Sequence, residues 1–435
     1  MTSTVKKRIT QLRHGQVPNG YQMTRLGIVP SDWGTFRIGD CLERVEHPVE
    51  VQADKLYTQI GIRSHGKGLF YKEQVAGAEL GNKAVFWIEP NCFILNIVFA
   101  WEQAIGKTTQ AEKGMIGSHR FPMYRPVKDS VDVDYLISFF LTKRGTDILE
   151  AASPGGAGRN KTLGQDRFLK SKIVLPPLSE QRKIAKILAT QDNVIELKTR
   201  LLEEKRKRKK ALMQRLFEPT GEKRLEAASP RGEATSCHLN DEWRIVRMSR
   251  LFEPIVRKNT TGNTNILTIS AQDGLVNQFE YYKHQYASVD VSGYTLLKRG
   301  EFAYNKSRSG EYPYGTIKKL DKYETGVVSP LYLCFTAKDD ACLDFWSYYF
   351  ESGMLNRSLY RIAQEGARNH GLLNIPTDGF FESELLVPPL PLQRHIAAIL
   401  SAADREIDLF RQSLEQEVQK KKALMQLLLT GIVRV

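Results

Sequence analysis

Gly106-Lys107-Thr108 ends like a phosphate-binding loop, but Trp101 stands where the opening glycine of that loop belongs, so the cradle of backbone N–H groups is incomplete. The chain contains no GxGxxG, GxSxG or HExxH spacing, and none of the Asn-Pro-Pro-aromatic segments that adenine methyltransferases use. Its 5 cysteines include no CxxC pair and its 8 histidines do not cluster with them, so neither a zinc site nor a disulfide framework is expected. Gly155-Gly156-Ala157-Gly158 reads as a turn. The expectation is a chain that is not an enzyme and holds no cofactor of its own.

A second set of residues suits DNA. The segment from Tyr304 to Gly315 (YNKSRSGEYPYG) gathers Tyr304, Asn305, Lys306, Arg308, Tyr312 and Tyr314 into one polar, aromatic loop. Arginine and lysine can bond guanine O6/N7, asparagine can bond adenine N6/N7, and hydroxyl or aromatic groups pack on sugar and phosphate. The competing reading is a polar hairpin tip whose tyrosines are half in the core. Arg159-Asn160-Lys161 and Arg368-Asn369-His370 occupy matching places in the two halves of the chain, as base or phosphate contacts or as structural caps. Arg63, His65 and Lys67 form one further candidate group, and His119 with Arg120 another. The balance of 63 Lys+Arg against 49 Asp+Glu, a net charge of +14, favours a polyanionic partner. The run 205–210 (KRKRKK) could be a phosphate-binding stripe, but on a long helix it reads better as a solvated or partner-facing surface.

The elements that would carry these residues occur twice. Leu175-Pro176-Pro177-Leu178-Ser179-Glu180-Gln181-Arg182 returns as Val387-Pro388-Pro389-Leu390-Pro391-Leu392-Gln393-Arg394, at an offset of 212 from Pro176 to Pro388. The same offset carries Lys209-Lys210-Ala211-Leu212-Met213-Gln214 onto Lys421-Lys422-Ala423-Leu424-Met425-Gln426. With small gaps the repeat reaches back to Ser31-Asp32-Trp33 and Asp241-Glu242-Trp243, and pairs Asn96 with Asn305. A period this long exceeds solenoid units, so each copy is expected to be a whole domain. The frame of the domain repeats in sequence while much of its filling does not.

Short β-branched and aromatic runs predict strands over 56–62, 84–88, 265–269 and 327–335, and helices over 133–143 and 345–355. Each half is therefore expected to be a mixed α/β (α+β) globule. After each Pro-Pro, apolar residues fall at 4,3 spacing: Ile184, Leu188, Ile195 and Leu202 in the first copy, Ile396, Leu400, Ala403, Ile407, Phe410 and Leu414 in the second. A helix over 179–216 would be roughly 57 Å long at 1.5 Å per residue, more than the roughly 34 Å of one B-DNA turn. Two such helices are expected to bury their seams antiparallel against each other, or against another protein. The stretch 217–240 has a linker's Pro/Gly-rich, polar composition. No segment reads as a leader or membrane span, so a cytoplasmic address is expected.

The start Gly27-Ile28-Val29-Pro30-Ser31-Asp32-Trp33, the two Pro-Pro-Leu-x-x-Gln-Arg segments and the duplicated helices closely resemble the specificity subunit (HsdS) of type I restriction-modification enzymes, over nearly the whole chain. The resemblance implies two target recognition domains, at 21–177 and 241–389, after an N-terminal segment of 1–20. It also implies conserved antiparallel coiled-coil helices at 178–217 and 390–430, joined to the second domain through a linker at 218–240. The implied partners are double-stranded DNA with two half-sites around a non-specific spacer, two methyltransferase subunits, and restriction subunits, with no membrane. S-adenosylmethionine, ATP and Mg2+ belong on those partners. Docking would fall to Gln181, Arg182, Ile184 and Ile187, and to Gln393, Arg394, Ile396 and Ile399. Ser179 to Pro391 and Glu180 to Leu392 depart from the repeat. Because the loops of the two halves differ, an asymmetric site is expected. The rival of another class is a coiled-coil adaptor whose globules bind proteins.

Overall fold

The computed structural model describes all residues except 1–2, 25–26, 82–83, 129, 156–160, 218–242, 283–289, 309, 311, 339–340 and 366–372. The chain divides into two globular units, Met1–Thr199 with Ser413–Val435, and Arg200–Gln412. Each contains a stretch of both long helices, Leu178–Phe217 and Leu390–Leu428. The proposed linker at 218–240 lies outside the described residues.

In the first unit, strand Gly34–Arg37 pairs antiparallel with Lys172–Leu175, so the beginning of the domain is stitched to the strand that runs into the long helix. Between them lie two four-stranded sheets. One has the order Leu42–Val45, Met123–Pro126, Phe93–Leu95, Ile105–Lys107, and is antiparallel throughout. The other runs Leu69–Ala76, Leu56–Ile62, Ile116–Ser118, Val85–Trp87, its middle pair joined in parallel at Ile116 and Gln59. Phe93, Phe140 and Phe168 cluster against Ile184 and Leu188 of the first long helix and Leu428 and Leu429 of the second. The predicted helix 133–143 is two helices, Val133–Phe140 and Lys143–Ala151: Thr142 adopts an extended backbone and its side chain accepts from Gly145 N, capping the second.

The second unit repeats this plan. Arg244–Arg247 pairs with Glu384–Val387, and one sheet runs Phe252–Pro254, Leu333–Ala337, Phe302–Asn305, Thr316–Lys319, the same order as its counterpart. Hairpins Leu267–Ser270/Gly274–Asn277 and Thr295–Lys298/Thr325–Val328 meet through a single parallel bridge between Ile266 and Val327. That bridge reproduces the parallel link of the first unit, so the filling repeats in topology although little of its sequence does. Strand formation needs only alternation and a register, which many sequences satisfy. The predicted strand 327–335 proves to be two, because Pro330 follows Ser329 in a turn closed by Tyr332 N to Ser329 O at 3.0 Å. Phe252, Phe302, Phe335, Trp346 and Phe350 form the core with Met213, Leu216, Phe217, Ile396 and Leu400 from the long helices.

Within each unit the helices run antiparallel with a partly polar seam. In the first, Gln191 Nε2 donates to Glu417 Oε2 at 2.8 Å, Lys198 Nζ reaches Glu417 Oε1 at 2.9 Å, and Lys421 pairs with Asp192 at 2.5 Å. Bonds from Gln191 and Lys198 hold the Glu417 carboxyl down at about 2. In the second, Lys205 pairs with Glu406 at 2.5 Å and lies 4.5 Å from the Phe410 ring centre, while Lys209 pairs with Asp404 at 2.7 Å and Glu351 at 3.3 Å. The basic run 205–210 therefore spends Lys205 and Lys209 on the neighbouring helix and leaves 206–208 and 210 exposed. Among the described residues no helix is long and apolar enough to cross a membrane.

Candidate nucleic-acid interface

The duplicated Gln-Arg motif proves to be a junction within each unit. Gln181, 1% exposed, donates from Nε2 to Pro176 O at 2.9 Å, and its Oε1 accepts from Asp132 N at 2.9 Å. Gln393 makes the same bond to Pro388 O, again at 2.9 Å. A carbonyl between strand and helix has no ladder partner, and the glutamine one turn into the helix supplies it. Ile184 and Ile396 are buried in the cores of their own units, and Ile187 and Ile399 pack partly against those cores. The docking role expected of Gln181, Ile184, Gln393 and Ile396 is thus corrected: burial holds these side chains inside their own units. Arg182 and Arg394 remain exposed. The departure at Glu180 also has a local cause. Its carboxylate accepts from Arg434 Nε at 2.7 Å and Trp33 Nε1 at 3.3 Å, and Arg434 further grips Asp32 at 2.6 Å. Leu392, in the equivalent place, packs on the apolar core of the second unit.

The hairpin of strands Phe93–Leu95 and Ile105–Lys107 matches that of Phe302–Asn305 and Thr316–Lys319, and its tip is loop 96–104 in one unit and 306–315 in the other. Asn96 and Asn305 do the same work: each Oδ1 accepts the N–H two residues on, from Val98 and Ser307, at 3.1 Å. Behind each tip a following segment bonds to it, Leu163 N to Ile97 O at 2.8 Å and Leu373 N to Lys306 O at 3.0 Å.

Tyr304 is fully buried, its ring stacked on Phe380 at 5.3 Å and its hydroxyl donating to Tyr314 O at 2.5 Å. Burial pushes its phenol well up. It sits in an inner strand covered on both faces, so its expected DNA contact is corrected to a core role, while half-buried Asn305 braces the turn through Oδ1. Lys306, Tyr312 and Tyr314 are half-buried, and Arg308 is exposed at the tip.

In the first unit the scattered candidates converge. His65 N donates to Glu102 O at 2.7 Å and Gly66 N to Gln103 O at 2.9 Å, tying loop 63–68 to loop 96–104, while Ile97 N donates to Arg120 O at 3.0 Å and brings in His119 and Arg120. Lys161 Nζ lies 5.0 Å from the Trp101 ring centre, so the segment behind the tip joins the same cluster. Arg63, His65, Lys67, His119 and Arg120 are exposed, with the Arg63 guanidinium over Phe70 at 5.0 Å. Arg159, Asn160, Arg368, Asn369 and His370 lie outside the described residues. The P-loop-like segment is committed elsewhere: Lys107 pairs with Asp134 at 2.7 Å, and the Thr108 hydroxyl donates to Glu89 O.

Residues 30–204 match the family described as the type I restriction modification DNA specificity domain. Two specificity subunits of Methanocaldococcus jannaschii align along the chain: that of the type I restriction enzyme MjaVIII is 24% identical over 94% of each chain. The putative MjaX subunit is 23% identical over 95% of this chain and 97% of its own. The chain is similar along nearly its whole length to type I restriction-modification specificity subunits. Solved structures agree on the fold. An HsdS subunit from Thermoanaerobacter tengcongensis, 17% identical, covers 93% of this chain and 98% of its own with a TM-score of 0.50. A chain from a study of complex assembly and conformational transition in a type I system covers 93% of this one and 99% of its own, at 15% identity and a TM-score of 0.58. These likenesses do not favour a coiled-coil adaptor. Two features escaped sequence reasoning: the glutamine-to-proline clamp, whose signal was the five-residue spacing present in both copies, and the Arg434 grip, which has no second copy to flag it.

Proposed function

We propose that this chain is a type I specificity subunit, a non-catalytic reader of a bipartite, asymmetric DNA site, each unit taking one half-site around a spacer that no base contact reads. The observation that carries this reading is a common frame bearing unlike tips. Sheet order, strand stitch and proline clamp recur, while the corresponding hairpin tips are NIVFAWEQA at 96–104 and KSRSGEYPYG at 306–315. Base edges are distinguished by which donors and acceptors a loop presents, so unlike tips read unlike bases. Exposed Arg63, Lys67, Arg120 and Arg308 supply cations for base edges or phosphates, consistent with the net charge of +14.

On this reading two methyltransferase subunits, carrying S-adenosylmethionine, methylate adenine where the subunit places them, and restriction subunits add ATP- and Mg2+-dependent cleavage in the cytoplasm. Their docking falls to the exposed faces of the long helices, including Arg182 and Arg394, rather than to the buried isoleucines. Exchanging residues 21–173 for the corresponding domain of another specificity subunit tests the modular reading. Methylation by the reconstituted complex should then change in one half of its motif; a change in both halves would overturn it.

A further inference from the structure

Between loops 63–68, 96–104 and 118–121 of the first unit opens a concave basin of ≈ 350 Å³, lined among others by Phe70, Phe99, Phe121, Lys72, Asn96 and Glu102. Its surroundings are basic, with Arg63, His65, Lys67, His119 and Arg120 exposed on the same loops. Glu102 is the exception. Its backbone carbonyl is fixed by His65 N at 2.7 Å, and its Oε2 accepts from Ser64 Oγ at 3.1 Å. Among the described residues Glu102 has no salt bridge, and no hydrogen bond reaches its Oε1.

A carboxylate in this position opposes phosphate binding, since it repels the backbone that the neighbouring cations attract. What it can take is a hydrogen-bond donor. In the major groove only cytosine, through N4, and adenine, through N6, offer an exocyclic amino group; guanine and thymine present acceptors there. Phe99, 36% exposed, and the other rings cover the approach with apolar surface, which strengthens a hydrogen bond made inside the basin. The matching tip of the second unit carries Lys306 and Arg308, and its one carboxylate, Glu311, lies outside the described residues.

We propose that the basin is a base-reading site of the first unit and that Glu102 is its specificity-determining residue, accepting the exocyclic amino group of one base, cytosine N4 or adenine N6. The proposal rests on the DNA-reading function above and narrows it to one group. Ser64 is a positioning residue, holding one carboxylate oxygen so that the other faces the basin.

The test uses the full chain with its methyltransferase partners and the duplex motif that this complex methylates. Each cytosine and adenine of the half-site belonging to residues 21–173 is replaced, one at a time, by an analogue lacking the amino group. One replacement should weaken binding by about tenfold, the size of one good base contact, and its identity separates cytosine from adenine. The same replacement should cost Glu102→Ala nothing further, while the other half-site stays fully discriminated. If no amino group in that half-site matters to the unaltered chain, Glu102 is not a base reader, whether or not the variant folds. Binding that ignores sequence altogether would remove the underlying DNA-reading function as well.

Discussion

Replacing Gln181 by alanine separates a structural clamp from a docking contact. Gln181 is 1% exposed and joins Pro176 O to Asp132 N, both bonds at 2.9 Å. Asp132 is also the N-cap of helix Val133–Phe140, its side chain accepting from Tyr135 N at 2.9 Å. The truncation leaves a carbonyl and an N–H without partners, each costing about 1–3 kcal/mol when buried. The expected loss is therefore about 2–6 kcal/mol in the first unit. Gln393→Ala releases only the Pro388 carbonyl and should cost about half as much in the second unit. Hydrogen exchange by mass spectrometry assigns the effect to a segment. Amides of 133–140 and 172–184 should exchange at least roughly 30-fold faster in Gln181→Ala, while those of the second unit hold their wild-type rates. Equal, near-zero changes in both variants, together with loss of methyltransferase binding, would refute the clamp and restore the docking role.

Other outcomes follow from the ionic seam and the buried tyrosine. Lys209 is 13% exposed and bridges Glu351 and Asp404, so Lys209→Met should destabilise the second unit by about 3 kcal/mol, read as a lower denaturant midpoint. Burial alone would raise the Glu351 carboxyl, but Lys318 and Lys209 together hold it below its ordinary value. Its contribution is therefore present above the unfolded carboxylate range and is lost as pH falls through the depressed folded value; in Lys209→Met that loss should begin at higher pH in an acid titration of stability. Tyr304→Phe should cost about 1 kcal/mol through the lost bond to Tyr314 O and leave the methylated motif unchanged. A changed motif would return Tyr304 to the reading surface.

The sequence made the repeat legible because the frame obeys demands that few residues meet. Only a side chain with both a donor and an acceptor at glutamine's reach can serve Pro176 O and Asp132 N together. Strand Leu56–Ile62 was legible for the same kind of reason, its β-branched and aromatic run lying between turn residues. That the filling also repeats was opaque because its demand is weaker: strands 267–270 and 325–328, overlapping runs the sequence marks as strands, need only the right alternation to recreate the parallel link seen at Ile116 and Gln59. Polar-aromatic composition alone could not tell Tyr304 in an inner strand from Arg308 at the exposed tip. Nor could composition gather Arg63, Arg120 and Lys161, which meet only through backbone bonds and one ring contact across loops far apart in sequence. Glu102 was passed over because an acid among bases gains meaning only from the basin around it.

Sequencing the methylated adenines of a genome in a host that expresses this chain with its partner subunits tests the central claim most directly. The account predicts one motif of two unlike half-sites at fixed separation, with the intervening bases unconstrained. A palindromic motif, a continuous one, or methylation that does not depend on this chain would contradict it.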